Sequence, residues 1–485
     1  MTGRNPRVVI IGAGVAGITT AVTLHKAGFT DFTILEKGAD VGGVWFWNRY
    51  PGLSCDVPSQ LYQFSFAPKP DWSQVFAPGP EIQQYLRSVV EQFGLQRHLR
   101  CNAEVESAIF DGKRWRVTTS DGTGYDADFV IAATGVLHHP FTPDIPGLDT
   151  FAGPVVHTAR WDDTVATDGK RIAVIGSGST GVQVVSALQP AAARITHFVR
   201  TPQWVMWAPI GLPQPSLVGT ALAKVPFAQR FLYDSLLWSS GILADIVTRP
   251  TWRRRLAQEA ARLSLRAQIR DRELRDRLTP DYEPFCKRQV LSSSYYGAIT
   301  AHNAALVDSA IEAVTPTGIR TADGTEHDLD VIVLATGFQA HNYLRPMQVV
   351  GRDGLSLDDA WEKGPRAWCM TAIPGFPNLF TVLGPNSPTG SISLQYSAEV
   401  TARYITGWLR RFRDGDLDTV EVTEEATTRF NDGIADALGP TVWNTGCNSW
   451  YRTEDGTIDL WPYDRATMTR MLARPDDRDY LVQRA

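Results

Sequence analysis

Two stretches built to one plan limit this chain to a narrow set of folds. RVVIIGAGVAG (Arg7–Gly17) and RIAVIGSGSTG (Arg171–Gly181) each pass from an apolar run into G-x-G-x-x-G and then into a helix-compatible segment. In such a turn the first glycine, Gly12 or Gly176, permits the tight bend. The second, Gly14 or Gly178, lets backbone N–H groups approach a pyrophosphate, and the third, Gly17 or Gly181, lets helix and strand pack closely. Ser177, Ser179 and Thr180 fill the second fingerprint. Each unit continues into another strand-like run, FTILE ending on Glu36 and RITHFVR ending on Arg200, both 24 positions after the first glycine. A carboxylate there accepts from ribose hydroxyls, whereas a cation favours a ribose 2′-phosphate. The pair predicts FAD at the first site and NADPH at the second.

An internal repeat supports the same architecture. TSDGTGYDADFVIAATG (Thr119–Gly135) matches TADGTEHDLDVIVLATG (Thr321–Gly337), with the polar turn and final glycine at equal separation. The expected class is α/β: two Rossmann-like dinucleotide-binding domains, for FAD and NADP, with a helical insertion. The expected divisions are 1–145 (FAD domain, first part), 146–203 (linker and NADP domain, first part), 204–280 (helical insertion), 281–330 (NADP domain, second part) and 331–485 (FAD domain, second part). Within the insertion the apolar stretch Pro226–Val247 is broken by Arg230, Asp234 and Asp245. It therefore reads as a cover over a substrate entrance rather than a membrane span, with lying on a membrane surface the lesser alternative.

Composition excludes several classes. A net charge of -5 without a long basic block leaves no electrostatic footprint for nucleic acid. The five cysteines are scattered, with no C-x-x-C pair and no metal-ligand spacing, which argues against a disulfide reductase, a metal site or a secreted disulfide framework. The first strand-like run begins by Arg7, so no signal peptide is expected and the cytoplasm is the expected location.

Other segments carry candidate chemistry. GGVWFWNRYPGLSCDVPS (Gly42–Ser59) joins paired glycines and aromatics suited to a flat ring system to a single acid, Asp56. In DYEPFCKRQVL (Asp281–Leu291) the adjacent Lys287 and Arg288 stand among apolar neighbours, and a buried arginine requires an anionic partner. GFPNLFTVLGPNSP (Gly375–Pro388) reads as turn, strand and loop facing a flavin ring. The tail CNSWYRTEDGTIDLWP (Cys447–Pro462) reads equally as a closing segment or a substrate-lining one. FAGPVVHTARWD (Phe151–Asp162), between the two fingerprints, reads as a hinge, with Gly153 where a side chain does not fit.

Together these features resemble the type I Baeyer-Villiger monooxygenases among the class B flavoprotein monooxygenases. That family's linker signature, F-x-G-x-x-x-H-x-x-x-W followed by Pro or Asp, is matched at Phe151, Gly153, His157, Trp161 and Asp162. The related N- and S-oxidising enzymes usually carry Tyr or Phe in place of that Trp. The resemblance implies that Arg288 is the catalytic arginine beside the flavin and that Asp56 orients it. Lys287, Arg200 and Thr201 are implied to hold the 2′-phosphate of NADPH. Glu36 is implied to hold the FAD ribose, with Lys37, Gly43, Val44, Trp45, Tyr62 and Val105 as further cofactor neighbours. His157 is implied to couple domain movement to turnover. The glycine/lysine/proline loop near the C-terminus of the better known cyclic-ketone members is not found here, and the CNSWYRTEDG tail looks more like the branch with aryl-ketone and natural-product-tailoring members.

The implied reaction takes NADPH, O2 and a ketone. Reduced flavin captures O2 as a C4a-peroxide, which attacks the carbonyl to give an ester or lactone, and 15 tryptophans with an apolar insertion favour a bulky lipophilic ketone. Oxidation of an amine or sulfide heteroatom is the alternative within enzymes, and an electron-transfer flavoprotein the alternative outside oxygenation.

Overall fold

The computed structural model describes residues 4–484. Two five-stranded parallel sheets form its framework. In chain order their strands are β1 (Val8–Ile11), β2 (Phe32–Leu35), β3 (Leu99–Arg100), β4 (Phe129–Ala132), β5 (Val155–His157), β6 (Arg171–Ile175), β7 (Arg194–Phe198), β8 (Ala304–Val307), β9 (Val331–Leu334) and β10 (Leu379–Thr381). The first sheet runs β10-β4-β1-β2-β3 and the second β8-β7-β6-β9-β5. Strands β1, β4 and β9 are buried along their whole length, as continuous apolar runs covered on both faces must be.

Each fingerprint strand occupies the centre of its sheet and feeds a helix, α1 (Val15–Lys26) from β1 and α2 (Ser179–Leu188) from β6. The sheets correspond strand for strand, β1 with β6, β2 with β7 and β4 with β9, so the fold is the doubled Rossmann-like α/β architecture expected. The repeated turns agree in detail. Thr119 Oγ1 donates to Asp121 Oδ1 and Thr321 Oγ1 to Asp323 Oδ1, both at 2.7 Å.

One expectation needs correction. A boundary at 330 gives residues 331–334 to the returning FAD domain, yet β9 lies inside the second sheet, between β6 and β5. VIVL is the second copy of FVIA, and FVIA pairs with its own fingerprint strand. The scattered cysteine spacing gave no sign of one pairing: Cys286 and Cys447 form a disulfide across 161 positions of sequence, joining the segment that carries Arg288 to the C-terminal tail.

The insertion consists mainly of α3 (Ser216–Lys224), α4 (Pro226–Thr248) and α5 (Trp252–Gln268). After β10 the chain forms α6 (Leu394–Arg413), which packs against α1. The two folds also touch directly. Tyr50 OH donates to Gln183 Oε1 at 2.9 Å, and Gln183 Nε2 donates to the Ser54 carbonyl at 3.0 Å. Among the described residues no helix is long and apolar enough to cross a membrane.

Candidate active site

Both fingerprints open on one cavity of ~1160 Å³. Gly12 and Gly14 line one wall, and Gly178, Ser179 and Thr180 another. Helices α1 and α2 begin there with no side-chain cap and no acid in the first turn. Their free N–H groups and positive dipole ends are thus left to an anionic ligand. The glycines have separable reasons. A Cβ on Gly17 would lie 1.9 Å from the Gly12 carbonyl oxygen, and one on Gly181 1.9 Å from that of Gly176, so these two glycines serve packing. A Cβ on Gly178 meets nothing within 4 Å; its bare backbone faces open space.

Glu36, just beyond β2, lines the cavity beside the first fingerprint. Its buried carboxylate accepts from Ala13 N and Gly38 N, each at 2.7 Å. Burial raises its pKa against the lowering effect of those two bonds. Lys37, Gly43, Val44, Trp45, Tyr62 and Val105 line the same cavity. Trp45 Nε1 donates to Tyr62 OH at 3.0 Å, fixing both rings. The bare helix ends, ribose-side carboxylate and aromatic wall fit a flavin dinucleotide, with a second nucleotide at α2.

Arg288 and Asp56, 232 positions apart, meet in this cavity. Arg288 Nε donates to Asp56 Oδ2 at 3.0 Å and Nη2 to Asp56 Oδ1 at 2.9 Å, a two-pronged pairing. Nη1 donates to the Thr389 carbonyl at 3.0 Å. The negative charge of Asp56 pushes the guanidinium further up from an already high pKa, overcoming the opposing effect of burial. Buried Tyr451 stands nearby, its phenol pushed up to about 12 by burial and so protonated at neutral pH. Its aromatic tail, with Trp443 and Trp450, lines the cavity.

Of the remaining expected residues, Ser177, Arg200, Thr201 and His157 lie off the cavity wall. Ser177 Oγ donates to the Thr201 carbonyl at 2.6 Å, tying the end of the β7 unit to the second fingerprint. Arg200 is exposed just beyond β7. Lys287 does line the cavity, with its ammonium 4.5 Å from the centre of the Tyr282 ring. Its pKa is lowered first by burial, while Asp281 raises it and Arg200 lowers it.

His157 sits at the end of β5, the edge strand of the second sheet. Its Nδ1 accepts from Ala159 N at 3.1 Å, and its Nε2 lies 3.3 Å from Thr336 Oγ1. Burial lowers its pKa. The FAGPVVHTARWD stretch is therefore fastened to the second sheet rather than free as a hinge; a Cβ on Gly153 would strike the Asp330 carbonyl oxygen at 2.4 Å. The crossing between folds lies outside it. Phe141 N donates to the Gly337 carbonyl and Gln339 N to the His139 carbonyl, both at 2.9 Å, so the outgoing and returning chains run as a hydrogen-bonded pair. Sequence reasoning missed Arg160, whose guanidinium lies 4.3 Å from the Trp47 ring centre and joins the linker to the first fold. The only signal for it was its place inside the linker motif.

A pyridine nucleotide-disulphide oxidoreductase family model matches residues 9–210. The chain is 40% identical over 484 residues to a Baeyer-Villiger monooxygenase of Streptomyces coelicolor, covering 99% of this chain and 93% of that one. This chain belongs to the Baeyer-Villiger monooxygenases. Another member, from Pseudomonas aeruginosa, is 37% identical over 95% of this chain and 88% of its own length. Among solved structures, cyclohexanone monooxygenase from Rhodococcus sp. Phi1 bound to NADP+ superposes with a TM-score of 0.88 at 31% identity, over 99% of each chain. Among the described residues no group of three or more His, Cys, Asp or Glu side chains is placed to hold a metal ion.

Proposed function

We propose that this Baeyer-Villiger monooxygenase contains FAD, uses NADPH and O2, and inserts one oxygen atom beside the carbonyl of a bulky lipophilic ketone to give an ester or lactone. The observation that carries the reading is convergence: two bare helix ends and the Arg288–Asp56 pair open on the same cavity. When bound, NADPH supplies a hydride and FAD the oxygen-activating chemistry. The chain itself binds and orients these groups and supplies a fixed field. Glu36 receives a ribose, and the first-turn N–H groups of α1 and α2 receive the pyrophosphates. Arg288 holds a permanent positive charge where anionic oxygen develops; a guanidinium keeps its proton at working pH, so it stabilises an anion without quenching it. Asp56 and the Thr389 carbonyl hold the plane of that group. Leu236, Leu243 and Val247 of α4, with the tail aromatics, supply the apolar lining that supports a bulky substrate.

The location proposed is the cytoplasm. The purified protein supplied with NADPH and a panel of ketones and thioethers is expected to form esters or lactones. Sulfoxide as the sole product would favour heteroatom oxidation and overturn the reading.

For the second nucleotide, Arg200→Ala is expected to raise KM for NADPH about tenfold or more while leaving KM for NADH nearly unchanged. A hydrogen bond to a charged group contributes roughly 1.5–3 kcal/mol. An unchanged preference for NADPH would remove Arg200 from the 2′-phosphate site.

A further inference from the structure

Helix α4 carries large apolar side chains on two opposite faces, the outer one also holding the Arg230–Asp234 ion pair. Leu236, Ser240, Leu243 and Val247 line the cavity. On the other side Phe227, Phe231 and Trp238 are 77%, 64% and 68% exposed. Helix α5 repeats the pattern with Trp252, Leu256 and Leu263, at 66%, 60% and 58% exposure. Both sets follow the spacing i, i+4, i+11, which at 100° per residue gathers the side chains on one face. Single exposed apolar residues are ordinary, but a stripe of large apolar side chains on each of two consecutive helices is not.

The charge around the second stripe is equally uneven. Residues 249–270 contain seven arginines and one acid, Glu259, in a chain whose net charge is -5. Arg254 is buried, and Arg262 pairs with Glu259 and Glu283. Arg255, Arg266 and Arg270 stand exposed beside the apolar stripe. A second copy of this chain seated on the same face would set one arginine-rich surface against another. An anionic lipid surface satisfies both features, since the aromatic side chains enter the interfacial region and the guanidinium groups reach the phosphates.

We infer that the outer faces of α4 and α5 dock this protein on anionic bilayers as an interfacial, non-spanning attachment. Ser239 and Leu243 are both exposed and cavity-lining, so the mouth of the cavity lies on the helix that docks. Given the ketone reading above, a lipophilic substrate then enters from the bilayer; the docking itself does not depend on that reading.

The test is co-sedimentation of the purified flavoprotein with vesicles of phosphatidylcholine containing one-quarter phosphatidylglycerol, against vesicles of phosphatidylcholine alone. Binding is expected to the anionic vesicles and to weaken with salt. Phe231→Ser/Trp238→Ser/Trp252→Ser is expected to abolish it. Arg255→Gln/Arg266→Gln/Arg270→Gln is expected to weaken it on the order of a hundredfold, at about 1 kcal/mol per arginine near such a surface. Both variants are expected to keep flavin absorbance and turnover of a water-soluble ketone, which separates lost docking from lost folding or lost activity. Failure of the parent protein to sediment with anionic vesicles overturns the proposal. So does a stable dimer in sedimentation equilibrium that the aromatic variant converts to monomer.

Discussion

Arg288→Ala is expected to leave flavin reduction by NADPH near its normal rate and to lower ester formation by at least about a hundredfold, the usual effect of removing one electrostatic donor from a water-excluded site. The two steps respond differently because hydride transfer requires only alignment of the nucleotides. Oxygen insertion develops anionic oxygen that needs a nearby cation. Arg288 is well placed to provide it, because three of its nitrogens are committed to Asp56 and Thr389, leaving the group fixed in position. Lysine at 288 restores a charge but not the planar fork that meets both carboxylate oxygens, so Arg288→Lys is expected to recover only part of the activity. Stopped-flow absorbance reads the first step and product chromatography the second. Normal ester formation by the alanine variant would remove Arg288 from the chemistry, and equal loss of both steps would assign it to structure instead.

Alanine at Gly17 is expected to give protein that is largely unfolded or free of flavin, whereas alanine at Gly178 folds normally and loses nicotinamide affinity. The chemical change is one methyl group in each case. At Gly17 that methyl meets the Gly12 carbonyl oxygen at 1.9 Å, inside the backbone of the same turn. Relief requires moving β1 away from α1, a distortion costing at least the 1–3 kcal/mol or so typical of overpacking. At Gly178 no protein atom lies within 4 Å, so only a ligand is there to object. Thermal melting with flavin absorbance, followed by NADPH titration, distinguishes the two. A Gly178→Ala protein with undiminished NADPH affinity would contradict a pyrophosphate at that helix end.

The framework was legible in sequence because its signals are local. A fingerprint, its strand and its helix occupy one short stretch, and the repeat states that the unit occurs twice. The same repeat assigns β9 to the second sheet, through VIVL as the copy of FVIA; a boundary at 330 overlooks it. Apolar neighbours of Arg288 announce that an anion must be close, but identifying Asp56 rests on family resemblance, because no periodicity links residues 232 positions apart. The disulfide was hidden for the same reason. Cysteine spacing reveals pairings within short motifs, whereas Cys286 and Cys447 are brought together by the folding of both halves. Arg160 on Trp47 is likewise a contact between domains that neither segment foretells.

The paired crossing chains at 139–141 and 337–339 have a mechanical consequence. A single connecting strand acts as a string, permitting rotation about every axis. Two antiparallel strands held by hydrogen bonds act as a leaf spring, resisting extension and torsion while flexing readily across their thin dimension. The pairing couples the two crossings, so neither connection can extend or turn independently of the other. His157, bonded within its own turn and set against Thr336 beside the returning strand, occupies the clamped end of that spring.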